Sequence, residues 1–534
     1  MKRLLVKCWT EFCNHSSVNA LRYPFDGRLP KLEQCWWRLS FLAFIVAYCF
    51  IIGTVYFKWI TNPAVITYTR SMYPIWVVPF PAVTICPMTK VRVEDLNLTD
   101  VMIRYQRGVK FEGEEYEMSR VRTSSILRSN TCFRYEKIYT LAQVCPFMWL
   151  WYKPRELINK SSTAILKNIS LSINDLFTSC YWRNMKIPCE QILSPIMTDS
   201  GLCYTFNQFP TDQLLRKENL NSESFLSNTI IRIANWNMES GYAKNAGIDS
   251  YPFRPIAHGY RSGLSIVMKT RKIDKEYLCE GPNKGFQISV HPPDEYRAMS
   301  NRYFRLPLQQ ALLLTVKPQL TTISPDLKKH DHTRRQCYFN DERYLRFFKI
   351  YNSHNCYLEC IANLTDTDCH CDRISRPRGL NTTICAGHRK DCPEIIQHKL
   401  EMLHQSLEGD EEWIGPCSCL PACATLQYDV EVSRTSFNPQ QLAQALSNSS
   451  VIYKHSDDHA FIAVGFKSKW LLPLKRRELM DFCDLMAQLG GLFGLMMGAS
   501  VISLLEILYF SLVRPIFNKL RHSENEQPIR PWVR

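Results

Sequence analysis

The chain has 534 residues, 46% of them hydrophobic and 12% aromatic, with 22 cysteines and a formal charge of +15. That apolar and aromatic content excludes a disordered chain. The basic excess alone selects neither nucleic acid nor an anionic membrane, because a solvated surface richer in Lys and Arg gives the same number.

Residues 1–38 form a charged prelude with seven Lys/Arg against three Asp/Glu. Residues 39–57 then carry no charge, between Arg38 and Lys58. At about 1.5 Å per residue this stretch covers roughly 28 Å, close to the hydrocarbon thickness of a bilayer. It begins too late for a signal peptide and lacks a small-residue cleavage site, so a first transmembrane helix is expected over 39–59.

Residues 60–482 are expected to form one large folded region. Prolines 63, 74, 79, 81 and 87 forbid a long helix at its start. The runs at 80–86, 201–207 and 261–268 read as strands, and 281–293 as a turn, a strand and a proline stop. Helical spacing is expected at 343–360, with Leu345, Phe348, Cys356 and Cys360 available to one side. A second helix is expected at 393–407, opened by Pro393. Its stripe of Ile395, Ile396, Met402, Leu403 and Leu407 reads as core.

Seventeen cysteines lie between Cys86 and Cys423, while Cys8, Cys13, Cys35, Cys49 and Cys483 sit near or inside the apolar segments. Sequons begin at Asn97, Asn159, Asn168, Asn363, Asn381 and Asn448 in the same region as the seventeen. Together they point to a lumenal, oxidising history and to glycosylation. A further sequon at Asn14 precedes the first span and reads as a cytosolic decoy. Cys356 and Cys360 share a helix face at about 6 Å. Cys417 and Cys419, on an extended strand, share a face at about 6.6 Å. The match suggests two rungs of a disulfide ladder. A zinc cluster is the rival reading of the same spacing.

A second transmembrane helix, lining a pore, is expected over 483–513. Its core between Asp484 and Arg514 holds one acidic residue, Glu506, and glycines 490, 491, 494 and 498. Gly491, Gly494 and Gly498 are spaced to share one face, which suits close helix packing as well as a pore. Glu506 is costly in an apolar span unless it meets water or a partner, and is a functional candidate by default. The tail 514–534 carries five Lys/Arg against two Asp/Glu. The positive-inside tendency therefore places both tails in the cytosol. Lys467, Lys469, Lys475, Arg476 and Arg477 oppose that orientation, but long loops translocate largely regardless of charge.

Four motifs in this order, FPAVTIC (80–86), GLCYTFN (201–207), GPCSCLPAC (415–423) and GGLFGLMMGASVISLLE (490–506), resemble the degenerin/epithelial sodium channel family, in particular its insect pickpocket branch. The resemblance implies an α+β membrane protein with two transmembrane helices and a large disulfide-rich ectodomain. That ectodomain would have a β-sheet palm and β-ball with helical finger and thumb, the thumb and its ladder at 337–423. It implies a homo- or heterotrimer with sister subunits in the plasma membrane, amiloride-sensitive, sensory, and passing Na⁺. It also implies disulfides Cys86–Cys203, Cys180–Cys189, Cys337–Cys423, Cys356–Cys419, Cys360–Cys417, Cys369–Cys392 and Cys371–Cys385. Cys132–Cys145 is then expected in the finger, with Cys279 left over. Gly498, Ala499 and Ser500 match the family's selectivity signature, and three such segments at an axis offer carbonyls and hydroxyls to a partly dehydrated cation. Ala487 matches the position where a small residue lets the outer pore close. The family's His-Gly gating pair is replaced by Asn19 and Ala20, so an auxiliary subunit or a non-conducting two-span receptor is the alternative.

No enzyme is expected, since the chain has no HExxH, GxSxG or phosphate-binding glycine loop. No cofactor, metal or nucleic-acid partner is expected either, and the sequence names no extracellular ligand. An ATP-gated trimeric channel shares the layout but not the four motifs.

Overall fold

The computed structural model describes residues 29–61, 64–107, 137–150, 162–222, 226, 232–296, 303–385, 389, 391–406, 417–439, 441, 456–498, 500–513 and 516–517. Asn14, Asn19, Ala20, Cys132, Asn159, Leu407, Asn448 and Ala499 lie outside the described residues. The chain divides into two units. One holds Met1–Val65, Ser324–Arg335 and Arg477–Arg534, and the other Ile66–Ile323 and Gln336–Arg476.

The first unit is helical. Helix α1, Lys31–Thr61, is the one helix among the described residues long and apolar enough to cross a membrane. Leu39, Leu42, Phe44, Val46, Phe50 and Phe57 are all exposed on it, and a helix apolar on every side belongs in lipid or in a core.

The second unit is built on two sheets. In the larger, Gln310–Ile323 is flanked by Asp457–Phe466 in parallel and by Thr425–Ser436 in antiparallel register. Leu264–Arg271, Phe177–Trp182 and Met185–Ile187 follow outward from Asp457–Phe466, and Ala64–Tyr68 and Leu474–Glu478 close the opposite edge. Leu312, Leu314, Val316 and Leu320 alternate inward along Gln310–Ile323, the period-2 pattern of a strand with one face on the core.

The smaller sheet is antiparallel, ordered Phe304–Leu306, Phe286–His291, Ala82–Pro87, Gly201–Phe206, Leu193–Thr198. Ala82–Pro87 is buried at every position, which is why its sequence runs apolar instead of alternating. Cys86 and Cys203 bond across it with Cα atoms 4.4 Å apart. Phe80 ends the approach to this strand, packed edge-on against Trp182, Phe206 and Phe466.

Helix α2, Ser353–Cys369, starts ten residues later than 343. Asn352 caps it, its side chain accepting the Asn355 N–H at 2.7 Å. Upstream, the buried Glu359 carboxylate accepts the N–H groups of Arg346 and Phe347 at 2.7 Å each. That holds 343–352 as a non-helical run whose Leu345, Phe347 and Phe348 are buried. Helix α3, Cys392–Ser406, forms as expected, but its stripe is not core: Ile395, Met402 and Leu403 are exposed, and Leu400 is buried instead. Ile396 rests on the cluster of Cys369, Cys371 and Cys385.

Among the described residues, eight disulfides close this unit. Cys356–Cys419 and Cys360–Cys417 tie α2 to residues 417–419, a run without strand structure, with Cα atoms 5.9 and 5.7 Å apart. Cys180–Cys189, Cys337–Cys423, Cys369–Cys392 and Cys371–Cys385 are also bonded, so thiolates for a zinc cluster are not left over at this spacing. The expected Cys132–Cys145 pair is corrected: Cys145 bonds Cys279 across 134 residues of sequence, and Cys279 is not a spare thiol. The Phe147 N–H donates to the Cys279 carbonyl at 3.2 Å, which brings the two chain segments together. Cys35, Cys49 and Cys483 are exposed and unbonded. Asn97, Asn168 and Asn381 are exposed, and Asn363 is half-buried on α2.

The Cys145–Cys279 bond carries a direct expectation. Cys279→Ser exposes one new thiol, at Cys145, and lowers stability by about 2–5 kcal/mol, the usual loss for a native bridge in a secreted domain. Mass-spectrometric thiol labelling with a thermal melt checks it. A labelled Cys279 in the wild type, with no new thiol at Cys145 in the variant, would reinstate the original pairing.

Candidate pore segment

The last apolar stretch is not one helix. Asp481 opens helix α4, Phe482–Met497. Its carboxylate accepts the Phe482 N–H at 2.6 Å, and its own N–H donates to Asp484 Oδ2 at 3.3 Å. Carboxylates suit a helix N-terminus because unpaired N–H groups and the macrodipole make that end positive.

Gly498 ends α4 in the left-handed conformation at φ 62°, its N–H donating to the Gly494 carbonyl at 2.9 Å. Glycine takes that conformation without the Cβ clash that burdens other residues. Ser500 returns to extended backbone and opens helix α5, Val501–Leu508. The Ser500 N–H donates to Ser503 Oγ at 3.0 Å, and the two hydroxyls lie 3.5 Å apart. A π-helical turn, Tyr509–Val513, follows. The single helix expected over 483–513 is therefore corrected to two, separated at 498–500. Glycine as a helix stop and serine as a helix start are both readable in sequence, and continuous apolarity masked them.

α4 has two different sides. Leu485, Leu489 and Phe493 are at least half-buried, and the Phe493 ring lies 5.6 Å from that of Tyr48 on α1. Ala487, Gly490 and Gly491 are exposed, and a methyl group added at Gly490 or Gly491 would meet no atom within 4 Å. Ala487, Gly491, Gly494 and Gly498 follow helical steps of four, three and four. Among the described residues Ala487, Gly490 and Gly491 are thus not used to pack α4 against its own chain, while Gly494 is half-buried. On α5, Ile502, Leu505 and Leu508 are exposed, Glu506 is half-exposed and Ser503 is buried.

A second feature lies in the strand-rich unit. A cavity of about 710 Å³ is lined by Trp236, Asp294, Glu295, Tyr338, His354 and Tyr428, among others. Burial pushes the Asp294 carboxyl up to about 7, with Glu295 beside it adding to the effect. The His354 imidazole stands 3.5 Å from Glu295. Asn352 and Asn355 donate to the Asp294 carbonyl at 3.2 and 3.3 Å. Sequence reading stopped at the prolines of 281–293 and missed the acidic pair that follows them.

Because its folded-state pKa is raised, Asp294 contributes stability that is full below about pH 4 and lost as pH rises through about 7. Asp294→Asn removes that part of the slope and raises the melting temperature at pH 7.5. The gain is on the order of a few kcal/mol. Thermal melts from pH 4 to 8 check it, and an unchanged slope in the variant would exclude Asp294 as the source.

A family model described as amiloride-sensitive sodium channel matches residues 12–510. Pickpocket protein 28 of Drosophila melanogaster is 24% identical over 515 residues, covering 94% of this chain and 78% of that protein. Sodium channel protein Nach of Drosophila ananassae is 22% identical over 511 residues, covering 95% and 86%. Acid-sensing ion channel 4 of Rattus norvegicus is 21% identical over 514 residues, covering 93% and 78%.

Proposed function

The chain belongs to the amiloride-sensitive sodium channel family, and from that premise we propose that it is one subunit of a trimeric, amiloride-sensitive, sodium-selective channel of the plasma membrane. Members of this family are ion channels, not enzymes, and a cation channel subunit is what the relatives support. In our reading α1 is the first span, and α4 with α5 is a broken second span. Both termini are cytosolic, and the disulfide-bonded unit faces outside, where disulfides persist.

The observation that carries the proposal is the break at Gly498–Ser500 beside an uncovered small-residue side on α4. A helix ending inside a span turns its last-turn carbonyls, and the negative end of its dipole, toward whatever lies at the break. Three such ends around an axis, with the Ser500 hydroxyls, would replace part of the hydration shell of a Na⁺ ion. Close approach of three copies needs side chains no larger than those at 487, 490, 491 and 494. The carboxylates of Asp481 and Asp484 would concentrate cations at the outer mouth, and a ring of Glu506 would favour them further in. Ala499 completes the selectivity motif in this proposal.

An auxiliary subunit is the second reading, favoured by Asn19 and Ala20 where the family has His-Gly. Alanine restricts a backbone that glycine leaves free, and asparagine does not titrate. Expression with and without sister subunits, recording sodium current and amiloride block, tests both readings. Current alone supports the pore-forming subunit, and current only with a sister supports the auxiliary one. Surface delivery without current under any partner would favour a receptor.

A further inference from the structure

Lys58 and Trp59 follow the uncharged stretch of α1, where a membrane-crossing helix leaves the hydrocarbon. The Trp59 indole N–H is buried there and donates to no group among the described residues. Residues 324–335 bring the Arg334 guanidinium over this ring, 4.2 Å from its centroid. The carboxylates of that segment are engaged with other groups. Asp326 lies 3.7 Å from Lys329, and Asp331 accepts from Thr333 and stands 2.9 Å from His332. Glu478 pairs with His330. Among the described residues no carboxylate meets Arg334.

Among the described residues the indole N–H has no acceptor, the guanidinium that lies over its ring meets no carboxylate, and leaving a buried donor unmet costs free energy. An anion would satisfy both groups. A guanidinium binds the planar edge of a phosphate with two parallel hydrogen bonds. The phosphodiester is the anion that a bilayer supplies in quantity at this depth. Phe57 and Ile60 are exposed on the same helix end, as an acyl chain requires.

We propose that Trp59 and Arg334 together bind the headgroup phosphate of a phospholipid at the C-terminal end of α1, an inference resting on the reading that α1 spans the membrane. The shared chemistry is a phosphate oxygen accepting from the indole N–H and the guanidinium, and the lipid is the source we assign.

The test uses the full-length assembled protein. Its incorporation into phosphatidylcholine nanodiscs checks the membrane reading separately, and protein that stays outside them overturns that reading and the site with it. Incorporated protein is then exchanged into non-ionic detergent and titrated with dioctanoyl-phosphatidylglycerol, dioctanoylglycerol and inorganic phosphate. Bound mass is read by native mass spectrometry. Only the phospholipid is expected to bind. Trp59→Phe keeps the ring and loses the N–H, and Arg334→Gln loses the charge. Each should weaken binding about tenfold, the scale of a hydrogen bond to a charged group. Arg334→Lys should recover part of the loss. Melting temperatures equal to wild type show that the variants are folded, and Trp59→Phe serves if Arg334→Gln is not. Wild-type lipid binding in a folded Trp59→Phe or Arg334→Gln protein overturns the proposal. Equal binding of inorganic phosphate overturns the lipid source and leaves an adventitious ion only. Equal binding of dioctanoylglycerol shows that the acyl chains, not the phosphate, are held.

Discussion

Gly498→Val abolishes sodium current while the protein still reaches the cell surface. Gly498 sits at φ 62°, where an L-residue places its Cβ against the following carbonyl at about 1–2 kcal/mol, and a β-branched side chain is a true outlier. In the proposed trimer the strain falls on three copies at one axis. The chain can relieve it by running α4 onward as right-handed helix. That removes the break and withdraws the carbonyls proposed to contact the ion. Gly498→Ala carries the same conformational conflict with less bulk and should keep a reduced, less selective current. Whole-cell current normalised to surface biotinylation checks both. Wild-type current from Gly498→Val would mean that the break at 498–500 does not shape the conduction path.

Ala487→Val does the opposite and leaves the channel open at rest. Ala487 is exposed on α4, four residues before Gly491, on the side its own chain leaves uncovered. If closure brings these sides of three subunits together, each valine overpacks the contact by about 1–3 kcal/mol. Three copies sum to roughly 3–9 kcal/mol against the closed state. A shift of about 5.5 kcal/mol carries a two-state equilibrium from 1:99 to 99:1. Resting, amiloride-blocked current should therefore rise more than tenfold without a stimulus. Wild-type-like resting current in the variant would exclude Ala487 from the closed contact.

What the sequence made legible was local. The run at 80–86 read as a strand, and Ala82–Pro87 forms one, buried throughout. The four-apart and two-apart cysteine spacings matched, and the bonds of Cys356 and Cys360 to Cys419 and Cys417 join those positions. What stayed hidden depended on distant groups. Cys145 is bonded to Cys279, 134 residues away, and not to the expected Cys132. Residues 343–352 have a helix-like apolar pattern, but the N–H groups of Arg346 and Phe347 are claimed by Glu359, so the backbone takes another path. The stripe on α3 had the spacing of a core face, yet the disulfide cluster around Cys369 and Cys392 fixes which side turns inward. At the pore segment the residues were identified and their backbone was not, because hydropathy reports how apolar a stretch is and says nothing of where its helix stops.

The most direct test of the central claim is cysteine modification at Ser500. Ser500→Cys is expressed with whatever sister subunits give amiloride-sensitive current, and extracellular cadmium is applied with the wild-type protein, which carries Cys49 and Cys483, as control. The account predicts that cadmium blocks the Ser500→Cys current and spares wild type, because Ser500 would line the narrow part of the proposed conduction path. Undiminished current through Ser500→Cys under cadmium would contradict it.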